Sequence, residues 1–192
     1  GYHVMASFPE AASTAELVYF LYEQTNPEIL SIEAAAALYA GIATDTGSFR
    51  FDSVGPHLHR IVAEMMEQTG LRPAEIHQRI YDNRDLRQLK LIGRALEHIE
   101  LHGDEDWLAT MYVKASDLEE TGCSYQDTEG LIAFALSLRS VKAGVIFTEK
   151  DERIKMSFRS KNELNVNHLA RKFQGGGHQK AAGGWHDGPL EE

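Results

Sequence analysis

What this chain has little of narrows it quickly. It carries one cysteine, Cys123, so no internal disulfide can staple it, and a reducing, cytoplasmic setting fits. Its longest apolar stretches, such as LVYFLY (Leu17–Tyr22), are far too short to span a bilayer, and no secretory h-region is present. Positive charge is also scarce: 19 Lys and Arg stand against 29 Asp and Glu, a formal net charge of −10. Such a chain repels a long polyanion, which excludes broad binding to duplex nucleic acid. A small phosphorylated ligand survives that test, because a few local cations or a metal reverse the field inside one cleft.

Several familiar signatures are missing too. There is no G-x-x-x-x-G-K-[ST] phosphate loop, no G-x-S-x-G elbow and no H-E-x-x-H helix. His98 and His102 stand four apart near a helix end, but no third zinc ligand accompanies them. His57 and His59 flank Leu58 without metal spacing, and Cys123 reads as structural. The length of 192 residues allows one large domain or two small ones. A start at Gly1 reads as a processed chain or a fragment.

What is present falls into two styles. The first half reads as helical. STAELVYFLYEQTN opens with Ser13 and Glu16 at capping-box spacing and is apolar on nearly every side, which predicts a buried helix. SIEAAAALYAGIA starts at Ser31. PHLHRIVAEMMEQTG places Ile61, Val62, Met65 and Met66 on one face, between Pro56 and a C-capping Gly70. RPAEIHQRIYDN follows. LRQLKLIGRALEHIEL repeats Leu86, Leu89, Ile92, Leu96 and Ile99 at helical steps, an amphipathic helix between two halves.

From Trp107 the pattern changes. WLATMYVKA and AGVIFTE read as strands, with the helix GLIAFALSLRSV between them. In RIKMSFRSK, Ile154, Met156 and Phe158 alternate with Arg153, Lys155, Ser157 and Arg159. A period of two sends one set to the core and the basic set to the opposite face. NVNHLARKF predicts one more helix.

Two stretches invite chemistry. In GGGHQKAAGG, a loop without Cβ atoms lets backbone N–H groups converge on an anion, and HQKAAGG is expected to begin a helix that strengthens the effect. His178 adds a donor, and Arg159 with Ser160 at the end of the basic strand suits a phosphate, which a guanidinium matches with two parallel hydrogen bonds. The bland alternative is a flexible turn and a solvated strand face. In GIATDTGSFRF, Asp45 leaves an apolar helix just before a turn, where a carboxylate binds a hard divalent cation or merely caps the turn. Asp52 is a weaker candidate of the same kind.

Together, GIATDTGSFRF, MSFRSK, NVNHLARKF and GGGHQKAAGG resemble the DHH phosphoesterase superfamily with its DHH-associated C-terminal domain. The likeness is to the bifunctional oligoribonuclease (nanoRNase) and pAp phosphatase type, often labelled exopolyphosphatase-related, and it covers essentially the whole chain. It implies an α/β fold in three parts: residues 1–83 as the helical remainder of a DHH-type α/β domain, residues 84–102 as a linker helix, and residues 103–192 as a smaller α/β substrate-binding domain.

The resemblance also implies a manganese-dependent hydrolase with a two-metal site. Asp45 would be a catalytic metal ligand, and Arg159, Ser160, Gly175, Gly176, Gly177 and His178 would bind substrate phosphate. The implied ligands are short oligonucleotides or the bisphosphate 3′-phosphoadenosine 5′-phosphate (pAp), with no long duplex and no membrane; a homodimer is left open. The family's Asp-His-His triplet stands just upstream of a segment like GYHVMASFPEAASTAELVY, so the chain is expected to be the later part of a longer enzyme, short of metal ligands. Two alternatives remain: a non-catalytic phosphate-binding module, or a polyphosphatase or cyclic-dinucleotide phosphodiesterase on the same scaffold.

Overall fold

The computed structural model describes residue 8 and residues 10–25, 30–161 and 163–190. The opening of the segment GYHVMASFP, residues 1–7 and 9, therefore lies outside the described residues. The chain divides into two compact units, Gly1–Asn83 and Arg84–Glu192.

Within its described residues the first unit is helical: α1 (Thr14–Thr25), α2 (Ile32–Asp45), α3 (Pro56–Thr69) and α4 (Pro73–Tyr81). Local chemistry sets their ends. The Ser13 hydroxyl accepts the Glu16 N–H at 3.1 Å, while the Glu16 carboxylate reaches back to the Ala12 N–H at 2.7 Å, one residue beyond the expected box. Ser31 caps α2 by accepting the Ala34 N–H. Pro56 opens α3 and Gly70, at φ 71°, closes it as expected. The core gathers Tyr19, Tyr39, Ile42, Leu58, Ile61 and Met65.

α1 departs from its expected burial. Only Glu16 and Tyr19 are buried, while Leu21 is 65% exposed and Val18 48%. The helix is apolar on several sides, and among the described residues one side is buried.

The second unit begins with α5 (Leu86–Glu97), whose start is a full capping box. The Asp85 carboxylate accepts the Gln88 N–H and the Gln88 side chain accepts the Asp85 N–H. The expected helix over 84–102 is too long: Glu100–His102 leaves it as strand β1. There follow β2 (Leu108–Val113), α6 (Ala115–Thr121), α7 (Ile132–Ser137), β3 (Ala143–Lys150) and β4 (Arg153–Ser160). The chain ends through α8 (Asn167–Ala170), β5 (Gly176–His178) and β6 (Ala181–Asp187).

These strands form one six-stranded sheet in the order β1-β2-β3-β4-β6-β5. β2 and β3 are parallel, and every other pair is antiparallel. The parallel pair needs a long crossover, which α6 and α7 supply. One face buries Leu91, Ala95, Met111, Val113, Ile132 and Ile146 beneath α5 and α7. The other buries Ile154, Met156, Phe158 and Ala182 against Val166 and Ala170. Alternation along β4 is as the sequence predicts.

Candidate functional site

The sheet register brings two of the predicted residues together. Arg159 on β4 pairs with Ala181 on β6, and Ala181 pairs with His178 on β5. Residues opposite one another in antiparallel strands point to the same face, so Arg159 and His178 stand in one row, two strand spacings or about 10 Å apart. Ala181 between them is small and leaves the row open. Arg159 is half-buried and donates from Nη1 to the Phe158 carbonyl at 3.0 Å, which steadies the guanidinium.

This row belongs to the face that also carries Lys155 and Ser157. Over β2 and β3 that face is covered by helices. Beyond them lies a cavity of about 360 Å3 whose walls include Tyr125, Thr128, Glu129, Lys155, Ser157 and Arg159. Ser160 is not part of this gathering. It falls at the opposite parity of β4, and its hydroxyl donates to the Leu164 carbonyl at 2.6 Å.

The glycine segment takes a different form from the one expected. HQKAAGG does not begin a helix: His178 ends β5, a two-residue turn follows, and Ala181 starts β6. GGGHQKAAGG is a β-hairpin at the edge of the sheet. The sequence misleads here because glycine is poor at both helix and strand while alanine favours a helix, and cross-strand contact decides.

A Cβ on Gly175 would lie 1.9 Å from the Gly183 carbonyl oxygen, and one on Gly177 would lie 2.5 Å from that of Ala181. Gly177 also sits at φ 152°. The Gly175 N–H is taken, donating to the Ala170 carbonyl at 3.1 Å. Gly175 thus closes the hairpin onto its neighbours, while Gly176 and Gly177 form an exposed edge strand free of side chains.

Asp45 lies in the first unit, exposed, as the last residue of α2. A helix C-terminus carries partial negative charge, so a carboxylate there is electrostatically misplaced unless a cation joins it. The turn that follows is unusual. Gly47, Ser48 and Phe49 all have positive φ, at 57°, 59° and 64°. Thr46, fully buried, holds the turn: its hydroxyl donates to the Ile42 carbonyl at 2.6 Å and accepts the Phe49 N–H at 3.0 Å.

Two consecutive side-chain-bearing residues in the left-handed region store strain. Among the described residues, no group of three or more His, Cys, Asp or Glu is placed to hold a metal. One carboxylate does not make a two-ion site, so the described residues do not by themselves fit two manganese ions and no hydrolytic step follows from them.

Several histidines outside the row have neighbours of their own. His57 stacks on Phe20 and lies 3.5 Å from Glu16, and His59 stacks on Phe49. His98 stacks on Tyr112 with centroids 4.0 Å apart, and His102 Nε2 lies 2.7 Å from the Thr110 hydroxyl. What sequence reasoning missed was Tyr125, Thr128 and Glu129. The polar cluster SYQDTE read as a prelude to a helix, and only tertiary folding carries it onto the β4 face.

Residues 109–189 match the DHHA1 domain. The second unit therefore carries a DHHA1 domain, and the chain as a whole is similar to DHH-superfamily proteins of the NrnA type.

It is 31% identical over 175 residues to the bifunctional oligoribonuclease and PAP phosphatase NrnA of Bacillus subtilis, covering 90% of this chain and 54% of that protein. It is 29% identical to the NrnA of Thermus thermophilus, covering 94% and 53%. A crystal structure of an exopolyphosphatase-related protein from Bacteroides fragilis superposes with a TM-score of 0.92 at 29% identity, over 98% of this chain and 55% of that one. The chain thus spans about half the length of the curated relatives it matches. No helix among the described residues is long and apolar enough to cross a membrane.

Proposed function

We propose that this chain is the substrate-holding part of a cytoplasmic, manganese-dependent phosphoesterase acting on short oligoribonucleotides or on pAp. The observation that carries the reading is the row Arg159–Ala181–His178 on the open half of the sheet, beside a glycine edge. A fixed guanidinium and an imidazole about 10 Å apart straddle one phosphoryl group. The glycine edge lets backbone N–H groups approach that group without a Cβ in the way. The relatives' names supply the substrate class.

In this reading residues 1–83 belong to the catalytic domain, residues 84–102 link it onward, and residues 103–192 hold the substrate. Asp45 supplies one metal-ligating carboxylate to a site completed by other groups. The chemistry such ions supply is activation of water and stabilisation of charge on the attacked phosphorus. The net charge of −10 suits a short ligand, since no long duplex must be tracked.

Calorimetry with pAp tests this directly. Arg159→Ala should weaken binding about a hundredfold, since a lost charge-assisted contact costs about 2 to 5 kcal/mol. Arg159→Lys should recover only part, because an ammonium lacks the two-pronged geometry. Equal affinity for the chain and both variants would remove Arg159 from the site.

A second reading is favoured for this polypeptide by itself, because Asp45 is one carboxylate where two ions need several: it binds nucleotide phosphate and hydrolyses nothing. Release of mononucleotide from a labelled dinucleotide by this chain with manganese would overturn that second reading.

A further inference from the structure

We infer that Ser160 is a positioning residue for the phosphate site: its hydroxyl holds a clasp on the tip of the glycine hairpin and so fixes where His178 stands. The inference rests on the phosphate reading of Arg159 and His178 given above. It assigns Ser160 a part in that site that needs no contact with the ligand.

The hairpin has little with which to place itself. β5 is three residues long at the edge of the sheet, and Gly176, Gly177 and His178 are all exposed. Two of the three have no side chain to pack, and glycine gives up more backbone freedom on folding than any other residue. The base of the hairpin is tied where the Gly175 N–H donates to the Ala170 carbonyl. The far end, where Gln179 and Lys180 follow His178 directly, needs ties of its own.

Three hydrogen bonds reach that tip, all from the connection between β4 and α8. The Val166 N–H donates to the Gln179 carbonyl at 2.8 Å, and the Ser160 N–H donates to the Lys180 carbonyl at 3.1 Å. The Gln179 side-chain amide donates to the Glu163 carbonyl at 3.3 Å. A fourth bond shapes the connection itself. The Ser160 hydroxyl donates to the Leu164 carbonyl at 2.6 Å, closing a turn that keeps Glu163 and Val166 within reach of Gln179.

The clasp has a fixed frame behind it. The Lys161 N–H donates to the Lys142 carbonyl at 2.8 Å, and the Lys161 ammonium donates to the Leu138 carbonyl at 2.9 Å. Both acceptors lie between α7 and β3. Val166 is buried in the core beneath α8. The connection is therefore held from two sides, and its bonds to Gln179 and Lys180 set the glycine edge against that frame. Strand parity divides the work: Arg159 faces the open half, while Ser160, pointing the other way, holds the segment that sets His178.

The test titrates the full chain with pAp by calorimetry. Ser160→Ala should weaken binding about fivefold, the net worth of one hydrogen bond. Melting should fall by no more than about 4 °C. Ser160→Thr keeps the hydroxyl and should restore the parental affinity. In a His178→Ala background, Ser160→Ala should cost almost nothing further, because a residue acting through His178 has nothing left to place. Without ligand, amide exchange at Val166 should rise severalfold in Ser160→Ala, since that N–H is bonded to the hairpin tip.

A loss undiminished in the His178→Ala background would mean that Ser160 meets the ligand itself; it overturns the positioning role and leaves the phosphate reading standing. So does a Ser160→Ala variant with parental affinity or parental exchange at Val166. A chain that does not bind pAp at all overturns the phosphate reading, and the role of Ser160 in it falls as well.

Discussion

One face of the sheet in the second unit changes character halfway across. Over β2 and β3 it is sealed by helices, with Leu91 and Ala95 of α5 and Ile132 of α7 buried against Met111, Val113 and Ile146. Over β4, β6 and β5 the same face is open and carries Arg159, Ser157, Lys155, Gly183 and His178. The backbone is continuous and the strand spacing is unchanged; only the side chains differ. Where they are apolar, helices cover them. Where they are basic or absent, the sheet is left open. On the proposed reading, stability and recognition are divided between two halves of one surface, and substitutions should separate them.

The largest effect is expected at the hinge of the open half. In Gly175→Ala the new methyl would overlap the Gly183 carbonyl, a backbone atom that cannot rotate away. Removing the clash means parting the hairpin from its neighbours, at a cost of about 4 kcal/mol. Thermal denaturation should show a large fall, with pAp binding lost as well. A variant melting within a degree or two of the parent would mean that the hairpin is not held by that contact.

A smaller but still large effect is expected on the sealed half. Leu91, fully buried, should cost about 3 kcal/mol as alanine. Leu89, two residues earlier on the same helix and 52% exposed, should change stability by less than about 0.5 kcal/mol. Neither should alter the affinity for pAp. If Leu89→Ala proves as costly as Leu91→Ala, the assignment of faces on α5 is wrong.

These sites were unequally legible in the sequence. The alternation Ile154, Met156, Phe158 against Lys155, Ser157, Arg159 was readable, because a strand's two faces follow from period two alone. The caps at Ser31 and Gly70 were readable for a similar reason: each is a local bond or a local dihedral.

The glycine hairpin was not. Its glycines answer to Gly183, Gly184 and Ala181, which local pattern cannot see. Ser160 falls outside the row for the opposite reason, since adjacency to Arg159 suggested partnership while strand parity sends neighbours to opposite faces. The row of Arg159 and His178, separated by 19 positions in sequence, exists only through β6 between them.

The finest test concerns the border between the sealed and open halves. The turn Tyr125–Thr128 flanks the open cavity, and Asp127 within it ties that turn to α5. The Gln88 amide donates to its carboxylate at 2.7 Å, and the Ser124 N–H and hydroxyl donate to the other oxygen at 2.7 Å each. These donors favour the ionised form and hold Asp127 below the usual carboxylate range, the Gln88 bond contributing most.

Because the folded value is depressed, the stabilisation is complete above the unfolded value of about 4. It is lost as pH falls from there through the folded value. Asp85 is also held low, chiefly by Arg87 beside it, and loosens the start of α5 in the same direction. Amide exchange in residues 125–128 should therefore rise severalfold as pH drops below about 4, beyond its intrinsic dependence. In Asp127→Asn that extra pH dependence should vanish from the turn while the part due to Asp85 persists at the start of α5. Identical profiles for parent and variant in the turn would show that Asp127 does not fasten the border, and that Tyr125 is held over the open half by packing alone.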